Sequence, residues 1–182
     1  MKSLVMNTNF DSNTFSMSSG IDYIDQSLAH GGWQSQTINE VISSESISEQ
    51  LDILLPTLTK LSQQGRWIVL VGAPKAGLKP LLESNGIDTS RVLLVHPKDQ
   101  VDALWAMEQA LMSGNSSAVL GWPGEIDNRD LKRLQLAAKR TSALTFLFKA
   151  TASAQPKIQL NCYNQQLSHQ HLSIDRRSGT IH

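Results

Sequence analysis

Between residues 36 and 149, apolar runs too short for helices alternate with longer segments of helical period. That alternation is what most limits the folds open to the chain. The runs Arg66–Gly72, Val92–His96, Ser117–Leu120 and Leu144–Phe148 have almost no polar interruption, as strands buried on both faces do. The β-branched run Gln36–Ile42 opens the series. Helices are predicted over Ile47–Gln64, Leu78–Asn85, Val101–Ser113 and Asn128–Arg140. Strand and helix in regular turn imply an α/β domain: a mostly parallel sheet with right-handed crossovers and helices on both faces. Beyond residue 149 the pattern changes. Lys157–Cys162 and His169–Asp175 read as an antiparallel hairpin at the sheet edge. Residues 1–19 are rich in Ser, Asn and Thr and lack any period, so a disordered tail is expected before a single domain over 20–182.

Local signals refine the elements. Ile47, Leu51, Leu54, Leu55, Leu58 and Leu61 form one apolar stripe, with Ser46 or Ser48 as the cap. Pro56 falls inside it, and a kinked single helix is expected rather than two. Asp99 is placed to cap the helix that follows it. Asp127 and Asp130 suit capping and dipole compensation better than a carboxylate site. Trp67, Trp105 and Trp122 are read as packing residues, whereas Trp33, in the loop after Gly31-Gly32, is expected to be partly exposed.

Composition narrows the function. Sixteen Lys and Arg balance sixteen Asp and Glu, which argues against a protein whose task is to coat nucleic acid. Charge is uneven: residues 1–65 carry two basic against seven acidic residues, and residues 66–182 fourteen against nine. Arg129, Lys132, Arg133, Lys139 and Arg140 are most simply a solvated helix face, with contact to an acidic protein surface or nucleic acid as the alternative. A single cysteine, Cys162, excludes an internal disulfide and a cysteine-based zinc site, and is read as structural. His169 and His171 share a strand face, but no third metal ligand is close in sequence. Neither a signal peptide nor a window of transmembrane length is evident, so a cytoplasmic protein is expected.

The most informative segment is a near miss. Gly72-Ala73-Pro74-Lys75-Ala76-Gly77-Leu78-Lys79 directly follows a strand, as a phosphate-binding loop does. Leu78 stands where the loop lysine belongs and Lys79 where the hydroxyl belongs, while Pro74 removes a backbone N–H. The first strand–helix junction, Ser43-Ser44-Glu45-Ser46-Ile47-Ser48, has neither glycine nor lysine. The strand Ser117–Leu120 leads into Gly121-Trp122 rather than a magnesium-binding Asp. Without these parts no catalytic residue and no cofactor site is assigned. The chain is expected to act by binding another protein.

Leu54-Leu55-Pro56 through Gly65-Arg66-Trp67, Glu83–Ile87, Met107–Leu111 with Ser113-Gly114-Asn115, and Val119-Leu120-Gly121-Trp122 resemble the SulA family of bacterial cell-division inhibitors. The likeness runs from about Ile38 to Phe148. It implies a RecA-like core without a phosphate loop, induction in the SOS response to DNA damage, and binding to FtsZ that blocks its polymerisation by capping a subunit. Family contact positions fall on Arg66, Val71, Leu81 and Arg91, although Val71 reads as buried and the family often has Trp at the place of Leu81. The resemblance also implies pairing of two copies and recognition of the C-terminal His182 by the Lon protease; the Tyr usual before that His is Ile181 here. A second resemblance, over Asp102–Leu111 and Arg133–Ala138, is to the ImuA accessory proteins of translesion DNA synthesis, the alternative reading.

Overall fold

A computed structural model of the chain describes residues 14–28, 30–44, 46–151, 158–162, 172–175 and 180–181. The first elements form a small layer of their own. Strand β1 (Ser16–Met17) pairs antiparallel with β2 (Trp33–Gln34), with helix α1 (Asp22–Ser27) between them. A side chain at Gly32 would run into the Met17 carbonyl, so only glycine lets the two segments lie this close. Part of the expected tail is therefore structured, while residues 1–13 lie outside the described residues.

Expected and observed strands otherwise agree closely: β3 (Ile38–Ser43), β4 (Trp67–Val71), β5 (Val92–Val95), β6 (Ser116–Gly121) and β7 (Leu144–Ala150). They alternate with α2 (Ile47–Asp52), α3 (Leu55–Ser62), α4 (Leu78–Ser84), α5 (Gln100–Met112) and α6 (Asn128–Ala138). Strands β8 (Ile158–Cys162), β9 (Leu172–Asp175) and β10 (Thr180–Ile181) complete one eight-stranded sheet in the order β10-β9-β8-β3-β7-β6-β4-β5. The five strands from β3 to β5 are parallel, and β8, β9 and β10 add antiparallel ladders beside β3. His169 and His171 lie outside the described residues.

Alternation along the strands splits the apolar residues into two cores, one on each face. Ile68, Leu70, Leu120, Leu144 and Phe146 face α2, α3 and α4. Val69, Val71, Val119 and Leu147 face α5 and α6, which contribute Leu104, Met107, Leu111 and Leu134. Helix starts follow their caps. Asp99 and Asp127 accept from the N–H groups of Asp102 and Asp130, both at 2.8 Å. Arg129, Lys132, Arg133, Lys139 and Arg140 are all exposed, and Arg133 lies against Glu108 of α5 at 2.6 Å and near Asp130.

Three expectations need correction. The stripe over 47–64 forms two helices, because the chain turns at Ile53 and Leu54 and α3 starts with Pro56 in its first turn. A missing N–H costs nothing there. Trp33 is fully buried, meets Phe146 edge-on at 5.2 Å and donates to Thr57 Oγ1 at 3.1 Å. Strand β5 is an edge strand, and its Leu93 and Leu94 are 47% and 38% exposed.

Candidate protein-binding surface

The two ends of the parallel sheet differ sharply. At the C-terminal end, β4 runs into Gly72 with φ 74°, whose N–H donates to Val95 O at 2.9 Å. Trp122 donates in the same way to Val71 O. Between them opens a cleft of about 400 Å³ lined by Ala73, Pro74, Lys75, His96 and Trp122. This is the crevice where α/β sheets hold ligands, since crossovers leave β4 and β6 in opposite directions. The lysine and hydroxyl of a phosphate loop are not in place. Leu78 is buried against the core and Lys79 reaches Glu83 at 3.7 Å. At the start of α2, Glu49 accepts from the Ser46 N–H at 3.0 Å in a capping box, so the chain's own carboxylate takes a donor that a phosphate would need. Among the described residues no group of three His, Cys, Asp or Glu is placed to hold a metal.

The opposite end gathers the predicted arginines. Arg66 precedes β4 and is half-buried, donating to Ser142 Oγ at 3.2 Å and to Gly114 O at 3.1 Å. Two of its five N–H donors are thus used in holding the turns before β6 and β7. Arg91 is exposed and lays its guanidinium over the Trp67 ring, Cζ 5.8 Å from the centroid, a cation–π contact. Neither arginine takes part in a salt bridge among the described residues.

Beside Trp67 runs an apolar groove of about 400 Å³ between the edge strand and α5, lined by Val69, Leu93, Val95, Trp105 and Ala110. Trp67 and Trp105 are 37% and 57% exposed, so both are surface residues rather than the packing residues expected. Leu81 is half-buried on α4, against the core on the other face of β5. Arg91 therefore stands at the start of the edge strand β5 and Leu81 packs beside it, whereas the Arg66 guanidinium reaches the other way, over the turns before β6 and β7. Val71 does not join them: it is fully buried in β4 and reaches no surface. His182 lies outside the described residues. The groove was legible only in part. Val101, Trp105 and Met112 form an outward apolar stripe on α5, opposite Ala103, Met107 and Leu111, but their strand partner is set by the sheet order.

A family model described as cell division inhibitor SulA matches residues 36–145, from just before β3 to the start of β7. The chain belongs to the SulA family. A SulA protein from Serratia proteamaculans is 27% identical over 150 residues, covering 82% of this chain and 86% of its own. SulA from Yersinia enterocolitica is 35% identical over 113 residues, 62% of this chain and 67% of that protein. The crystal structure of SulA from Pseudomonas aeruginosa superposes with a TM-score of 0.54 at 28% identity, covering 63% of this chain and 98% of that one. The family match spans the α/β core from β3 to the start of β7.

Proposed function

We propose that this chain is a cell-division inhibitor of the SOS response, which binds FtsZ and blocks its polymerisation so that no septum forms after DNA damage. Membership of the SulA family over the core carries the reading. The geometry supports binding as the means. Crevice and first helix start lack the residues that hold phosphate, while the opposite end offers Arg66, Arg91 and exposed aromatic surface. Arg is suited to paired hydrogen bonds with carboxylates, and apolar anchors supply most of the energy of such contacts. Action is by capping, without catalysis and in the cytoplasm. Among the described residues no helix is long and apolar enough to cross a membrane. Pairing of two copies and degradation by Lon through His182 belong to the same proposal. The ImuA alternative gains no support from the relatives, which are cell division inhibitors.

Sedimentation of FtsZ with GTP tests the proposal. Equimolar wild-type protein is expected to keep FtsZ in the supernatant, and Arg91→Ala to restore pelleting in large part. Normal pelleting with the wild type would end the division-inhibitor reading.

A further inference from the structure

Among the described residues, strand β5 is the last on its side of the sheet, and no strand lies beside its outer edge. Its residues are Val92-Leu93-Leu94-Val95, with no charge, proline or bulge of the kind that usually protects an edge. Leucines are exposed on both of its faces. On one face lies the Trp67–Trp105 groove, and on the other Leu81 of α4. At the start of the strand stands Arg91, which forms no salt bridge among the described residues. The nearby Asp88 is committed to its own turn, accepting from the Ser90 N–H at 3.0 Å. Its carboxyl is held below the usual range by that bond and by Arg91.

We propose that β5 is the docking edge of this protein: an extended acidic segment of the partner adds to it as a further strand. The segment seats an apolar side chain in the Trp67–Trp105 groove and sets a carboxylate against Arg91. Strand addition draws affinity from main-chain hydrogen bonds and specificity from pockets for alternate side chains. The edge and groove supply both, and Arg91 selects for acid. This inference rests on the division-inhibitor reading, since the partner is the protein that reading names.

The test uses the full chain with purified FtsZ, reading inhibition of assembly and amide hydrogen exchange over 91–95. Leu93→Lys and Trp105→Ala alter exposed side chains, and thermal melts establish that both variants fold. Exchange over 91–95 is expected to slow at least tenfold in the complex, and each variant to weaken inhibition at least tenfold. If the wild type inhibits while exchange there is unchanged and both variants inhibit equally well, edge docking is wrong and the functional reading stands. If β5 becomes protected without FtsZ as the mass doubles with concentration, a second copy occupies the edge and the proposal falls. Should the wild type neither bind nor inhibit FtsZ, both readings fail together.

Discussion

The indole of Trp122 lies flat on the ring of Phe148, centroids 4.3 Å apart and planes 6° from parallel. Its N–H donates to Gln50 Oε1 on α2 at 3.3 Å. Trp122 follows β6, where a nucleotide-binding protein of this architecture carries the acid that orients magnesium. Gln50 belongs to the helix that would follow its phosphate loop. One aromatic side chain thus ties the end of β6 to β7 and to α2.

Replacing Trp122 by Ala removes the stack and the hydrogen bond together, and is expected to lower unfolding free energy by about 3 kcal/mol. Trp122→Phe keeps the ring contact and should recover more than half of that loss. Urea unfolding followed by circular dichroism measures both; a loss under about 1 kcal/mol for the Ala variant would show that the stack contributes little.

Glu40 is 1% exposed on β3 and pairs with Lys149 of β7, whose side chain is 26% exposed. Removing the cation strands a charge inside the sheet. Lys149→Met should cost about 3 kcal/mol, and adding Glu40→Gln should return part of it. Equal stability of the single and double variants would count against the pair as the cause.

Thr145 Oγ1 is buried in β7 without a hydrogen-bond partner among the described residues. Valine has nearly the same shape and leaves no polar atom to satisfy. Thr145→Val is expected to leave stability unchanged or raise it by up to about 1 kcal/mol, as read from the denaturation midpoint. A clear loss would mean that the hydroxyl is bonded in solution.

Asp25 titrates below its usual value of 3.8. Burial opposes its charge, but the Ser18 hydroxyl at 2.5 Å, the Ser19 N–H at 2.7 Å and the Lys60 charge outweigh it. A carboxyl with a depressed folded-state value adds stability above its unfolded value, lost as pH falls through the folded one. Asp25→Asn should therefore cost about 1 kcal/mol at pH 6, discounted for solvent screening, and progressively less below pH 3.8. A gap between the variants that does not narrow in acid would refute this assignment.

The parallel sheet was readable because each of its strands is a short apolar run between punctuated helices, and capping residues such as Asp99 and Asp127 marked helix starts. Burial was harder. Trp33 follows two glycines, and it is met by Met17, Thr57 and Phe146, which local pattern cannot bring to it. Val92–Val95 looks like a central strand because apolar runs do not record which neighbour is missing. At the site, Arg66 and Arg91 were named from family likeness. Trp105 and Leu93 needed the sheet order, since 12 positions of chain separate residues that share one groove.

On the opposite side of the sheet, β8, β9 and β10 succeed one another outwards in the same order as in the chain. Tension applied from beyond β10 would meet two paired positions first, then the ladder of β9, and only afterwards the five pairs that hold β8 to β3. The molecule would open as a zipper, strand by strand, rather than by shearing every ladder at once. A pull-driven unfolding machine engaging that end would face its weakest resistance at the outset.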